Sequence, residues 1–125
     1  MKKSLLEIYS LAVCFVTIIC FAVALGIGVY DVLEMSNPEL TLKSYSYQQH
    51  QTNEAFTRNW SKDKEKPSEE EITKMREKSY KVALEAERRD AVQSFIRVLI
   101  VMLIDIGIFI IHWKLAKRAR EANAT

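Results

Sequence analysis

The chain has 125 residues, is 49% hydrophobic and 27% charged, and carries a formal net charge of +2. So small a positive excess, with no basic run interleaved with aromatics, argues against nucleic acid as a partner. Cys14 and Cys20 both fall in one apolar block and the two histidines, His50 and His112, stand far apart. Neither a disulfide framework nor metal-ligand spacing follows. No nucleophile–base pair or phosphate-binding loop is present, so no catalytic residue, metal or cofactor is expected, and the chain reads as a non-enzyme.

The apolar residues are collected in two blocks rather than spread at periods of 2 or 3.6, and that distribution sets the expected class. Ile8 to Tyr30 carries no charged side chain, Val98 to Trp113 carries only Asp105, and most of the charge lies between them. The expected fold is an all-α membrane protein: an antiparallel hairpin of two transmembrane helices, with a long helical extramembrane extension preceding the second span.

In chain order, residues 1–7 form a short cytoplasmic N-terminus and 8–30 the first span. About 20 apolar residues cross the hydrocarbon layer, and this run supplies them. A cleaved signal peptide is the competing reading, since Lys2 and Lys3 precede the run and Ala22-Val23-Ala24 matches a small-x-small site. The run stays apolar through Val29, which is long for a signal core and favours a retained span. Within it Ser10, Cys14, Thr17, Phe21, Ala24 and Gly28 recur at alternating spacings of four and three. Five of the six are small, which suits close helix packing: Ser10, Cys14, Thr17, Ala24 and Gly28.

Residues 31–67 read as an extramembrane loop. Asn37-Pro38 breaks the helix, the aromatic segment holds Tyr45, Tyr47, Phe56 and Trp60, and residues 61–67 form a charged turn. The aromatics are placed at the membrane surface, with a ligand-sensing role as the sharper alternative. Residues 68–94 read as a charged helix: Ser68 and Glu71 have capping-box spacing, and neither Gly nor Pro interrupts the run that follows. Ile72, Met75, Val82 and Ala86 make its thin apolar stripe, and Glu70–Lys74, Glu77–Lys81 and Glu85–Arg89 are spaced to pair.

Residues 95–113 form the second span. A central Asp costs about 2.5–3.5 kcal/mol on insertion and each Leu, Ile, Val or Phe returns about 0.3–0.6 kcal/mol, so the apolar residues around Asp105 carry it across. Arg97, Asp105 and His112 fall on one helical face, as an intramembrane polar stripe serving assembly or an ion path. Antiparallel depth matching sets Asp105 opposite Thr17, His112 opposite Ser10 and Arg97 near Gly28, with Thr17 expected to donate a hydrogen bond to Asp105. Residues 114–125 are a basic cytoplasmic tail, where Lys114, Lys117, Arg118 and Arg120 are expected to anchor to acidic lipid headgroups. Those cations, with Lys2 and Lys3, place both termini in the cytoplasm.

The end of the second span, Phe109-Ile110-Ile111-His112-Trp113-Lys114-Leu115-Ala116-Lys117-Arg118, resembles the ending of an uncharacterised bacterial two-span domain family, DUF5671. The resemblance implies a two-span layout in a bacterial inner membrane and points to no known activity. The expected function is a small membrane accessory or scaffold subunit, its partners the lipid bilayer and another membrane subunit or itself. The alternative is a homo-oligomeric ion or proton channel or transporter component in which Asp105 lines the path.

Overall fold

The computed structural model describes residues 3–125; Met1 and Lys2, and with them part of the expected N-terminal segment and one of its cations, lie outside the described residues. Every regular element among the described residues is a helix: α1 (Leu5–Ser36), α2 (Pro38–Thr41), α3 (Ser44–Gln49), α4 (Asn53–Thr57) and α5 (Glu69–Ala124). The chain divides into two compact units, residues 1–30 with 94–125, and residues 31–93.

The helix ends follow from local chemistry. Ser4 Oγ accepts a hydrogen bond from Glu7 N at 3.2 Å and opens α1. At the other end Pro38, which has no amide hydrogen to continue the ladder, becomes the first residue of α2, where that loss is harmless. Ser68 Oγ accepts from Glu71 N at 3.3 Å and opens α5, whose first turn holds Glu69, Glu70 and Glu71 at the positive end of the helix dipole. Of the i, i+4 pairs, Glu70–Lys74 closes at 3.8 Å. With no proline in its interior, α5 runs from Glu69 to Ala124 as one helix.

Both long helices are long and apolar enough to cross a membrane. In the first unit their contacts pair residues in opposite sequence order: Glu7 with Arg120, Tyr9 with His112, Cys14 with Phe109 and Gly28 with Val98. The inner line of α1 is Glu7, Ser10, Cys14, Thr17, Ala24 and Gly28, all buried, and α5 answers with Val98, Ala116 and Ala119. With half-buried Phe21 on α1 and Met102, Asp105, Phe109 and His112 on α5 filling the intervals, spacings of three and four hold on both sides, the register that keeps one seam facing a partner helix. The other faces are apolar and uncovered; Phe15 is 65% exposed and Leu103 70%.

In the second unit the covered face of α5 differs from the expected apolar stripe. Ile72 is buried, but Met75 and Val82 are 45% and 57% exposed. The covered line instead passes through Arg76, Ser79, Tyr80, Ala83, Leu84 and Glu87. Hydrogen bonds to the short helices are the reason. Arg76 Nη1 donates to the carbonyls of His50 and Gln51 at 3.1 and 2.6 Å. Asn53 Nδ2 donates to Thr73 Oγ1 at 3.0 Å, and Tyr80 donates to Glu39 Oε1 at 2.8 Å. His50 is buried between Ser46 O (2.6 Å) and Ser79 Oγ (2.9 Å), with the rings of Phe56 and Tyr80 at 5.9 and 5.6 Å.

A Cβ built on Gly28 meets Val98 Cγ1 at 3.3 Å, whereas one on Gly26 meets nothing within 4 Å. Gly28→Leu is therefore expected to destabilise the helix pair by about 1–3 kcal/mol through overpacking. Gly26→Leu gains about 1 kcal/mol or less from helix propensity. Thermal unfolding of the two variants in mild detergent, followed by circular dichroism, checks this contrast.

Candidate functional site

The two-helix seam of the first unit gathers most of the residues that the sequence singles out. Ser10, Cys14, Thr17, Ala24 and Gly28 all lie buried on it. Asp105 enters it from α5, half-buried, with Oδ2 out of solvent contact and without a hydrogen-bond partner. Thr17 and Asp105 line one cavity of about 230 Å³ with Ile18, Phe21, Ile106 and Phe109.

The expected Thr17–Asp105 hydrogen bond is not made. Thr17 Oγ1 donates to its own helix, to Cys14 O at 2.8 Å, because a hydroxyl in apolar surroundings can always reach the carbonyl one turn back. That leaves the carboxylate oxygen of Asp105 without a donor in an apolar recess, an arrangement that is costly unless a proton or an outside donor arrives.

His112 also enters the seam half-buried. Its Nδ1 lies 2.9 Å from Ile108 O and its ring meets the edge of Tyr9 with centroids 5.9 Å apart. The side chain against its ring is thus Tyr9, while Ser10, the next residue, is fully buried with Oγ unpartnered. Arg97 is not gathered with these two. It is exposed, one position from the buried Val98, and borders a separate recess with Cys20, Val23, Ala24 and Ile27. Lys114, Lys117 and Arg118 are exposed. Arg120 Nε donates to Glu7 Oε1 at 3.1 Å, and the Glu7 side chain is only 5% exposed.

Two groups of charged residues stand outside the site that the sequence singles out. Glu7 precedes Ser10 by three positions and Asp31 follows Gly28 by three, so both continue the four-and-three register; extending it past the uncharged run finds them. The second group lies in the other unit, where Asp31, Glu34, Glu87 and Asp90 act on one another. The Glu34 carboxyl is pushed up to about 7, first by burial, then by its hydrogen bond with Glu87, then by the negative charges of Glu87, Asp31 and Asp90. Asp31 is 3% exposed and its Oδ2 has no hydrogen-bond partner. No spacing rule pairs residue 34 with residue 87. In the same unit burial, followed by the hydrogen bond to the Glu39 carboxylate, pushes the Tyr80 hydroxyl up to about 12. No group of three or more His, Cys, Asp or Glu side chains among the described residues is arranged to hold a metal ion.

Comparison with protein-family models, with curated proteins and with solved structures finds no match.

Two substitutions separate the roles of the charged seam residues. Arg120→Ala leaves the buried Glu7 carboxylate without its donor and is expected to lower stability by about 1–3 kcal/mol. Arg118→Ala, at an exposed position, should stay within about 0.5 kcal/mol of the parent. Asp105→Leu removes an unpartnered carboxyl from apolar surroundings. It is expected to raise membrane insertion of α5, by an amount approaching the roughly 2.5–3.5 kcal/mol that a central Asp costs. Unfolding in detergent measures the first pair, and a translocon insertion assay the last.

Proposed function

We propose that the protein is a small integral membrane accessory or scaffold subunit, non-catalytic, whose two long helices cross the bilayer as an antiparallel hairpin. Residues 31–94 then stand outside the hydrocarbon and residues 114–125 form a basic tail. The observation that carries the reading is the Asp105 carboxylate, with one oxygen buried and unpartnered inside a seam whose outer faces are apolar. A lone hairpin gains nothing from such a group, since an uncharged residue there would insert more easily. A membrane complex can gain from it, because acids inside a bilayer pair with donors on neighbouring helices.

The surrounding features fit that role. Apolar side chains along both outer faces offer lipid and neighbouring helices a continuous surface. Lys114, Lys117 and Arg118, exposed at the end of the second span, suit acidic headgroups; near the surface each such cation contributes about 1 kcal/mol. The basic residues flanking the two apolar runs favour cytoplasmic termini, and the likeness of residues 109–118 to a bacterial two-span family favours an inner membrane. A channel or transporter component is the second reading. The cavity beside Asp105 favours it, since an ionisable side chain bordering a recess at span depth is where a proton path would pass.

Co-purification in mild detergent, with mass spectrometry of associated chains, and a vesicle flux assay together separate the two. The scaffold reading expects Asp105→Leu to lose its associated membrane chains by tenfold or more while flux stays at background. The channel reading expects assembly to survive Asp105→Asn and conductance to vanish.

A further inference from the structure

Where α1 begins and α5 ends, the two helices of the first unit leave a recess of about 250 Å³, lined by Leu11, Trp113, Ala116, Lys117 and Arg120. Its two sides differ in chemistry. Leu11, half-buried, and the indole of Trp113 are apolar, and buried Ala116 adds only a methyl group. The Trp113 ring is braced by Phe109, on which it stacks with centroids 5.9 Å apart and planes at 12°. The other side carries charge. Arg120 Nε donates to Glu7 Oε1 at 3.1 Å, so the buried Glu7 carboxylate fixes the guanidinium beside the recess. Its Nη groups are further donors, and the Arg120 side chain is 63% exposed. Lys117 is exposed and forms no ion pair among the described residues. Glu7 offsets the charge of Arg120, which leaves that of Lys117 in excess.

We propose that this recess holds an anionic phospholipid, with its phosphate between Lys117 and the Arg120 Nη groups and its acyl chain against Leu11 and Trp113. An apolar wall beside two cations matches an amphiphile with an anionic head. A free anion has nothing to set against the wall, and an apolar partner segment would cover both cations without pairing them. A zwitterionic headgroup brings its own cation up to Lys117, so a lipid of net negative charge fits better. Lys114, Arg118 and Glu121 are exposed and lie outside the recess. One position after Lys117, Arg118 is turned about 100° around the helix. The inference rests on α1 and α5 spanning the bilayer, which puts Trp113 and the cations at headgroup depth. To a diffusely basic tail it adds a discrete site with named contacts.

Fluorescence quenching of Trp113 reads the occupant. Trp60→Phe in the full chain leaves Trp113 as the remaining indole of the two in the sequence. This protein is reconstituted in phosphatidylcholine vesicles containing a small share of phosphatidylglycerol, with bromine on the acyl chains of one lipid or the other. Per brominated molecule, phosphatidylglycerol is expected to quench about fivefold more than phosphatidylcholine. Lys117→Gln should bring that ratio below about twofold. Arg118→Gln, which removes the same charge outside the recess, should keep more than half of it.

Equal quenching by the two lipids, as a second copy or a protein partner seated on the recess would give, overturns the site and leaves the spans standing. Equal loss in Lys117→Gln and Arg118→Gln overturns it as well, since a diffuse basic surface behaves that way. Quenching by neither lipid overturns the site and the membrane reading together. Should Trp60→Phe not fold, native mass spectrometry of the parent from mixed micelles decides. Retained phosphatidylglycerol that is lost in Lys117→Gln supports the site, and no retention, or the same retention in Lys117→Gln, refutes it.

Discussion

So much of each long helix is apolar and exposed that the arrangement depends on what covers that surface. Phe15, Val16, Ile19, Val23 and Val29 on α1, and Leu99, Ile100, Leu103, Ile104 and Ile111 on α5, are all between 44% and 70% exposed. Apolar patches of that extent are not left to water in a soluble monomer. A helix can give them to lipid, because its backbone donors and acceptors are satisfied internally. Once lipid is the solvent, apolar area no longer drives the helices together, and packing and polar contacts must do so. The inner line of α1 answers that demand with small and polar residues: Ser10, Cys14, Thr17, Ala24 and Gly28 let the two backbones approach, as the space left by Gly28 for Val98 illustrates.

Polar groups on that seam differ in how well they are satisfied. Glu7 has its donor in Arg120, near the helix ends, where the guanidinium still reaches solvent. Thr17 is satisfied by its own helix. Ser10 Oγ and Asp105 Oδ2 have no hydrogen-bond partner among the described residues. The gradient runs from a paired charge at the rim to an unpartnered carboxyl oxygen inside the seam, the observation on which the proposed role of Asp105 rests.

Much of this was legible in the sequence, and the divisions follow physical range. The two apolar blocks, the break at Pro38 and the Ser68 cap are local features, so residue order carries them. The small-residue line of α1 is legible because helical period turns spacing into a face. Where contacts cross between helices, local rules gave out. The Thr17–Asp105 pair was matched in depth, but a hydroxyl has an intrahelical carbonyl within reach and takes it. Arg97 was placed with Asp105 and His112 by angle alone, whereas at the seam Val98 is the buried residue. The covered face of α5 between Ile72 and Glu87 mixes apolar residues with polar ones that bond to the preceding short segments; a search for an apolar stripe passes over it, as over His50. The Glu34–Glu87 contact joins residues far apart in the chain, and nothing short of the fold brings them together.

The account stands on lipid as the solvent of both apolar helices, and extraction of washed membranes with alkaline carbonate tests that most directly. The full-length chain is expected to remain with the membrane pellet and to enter solution only with detergent. Recovery of the full-length chain in the carbonate supernatant would contradict it.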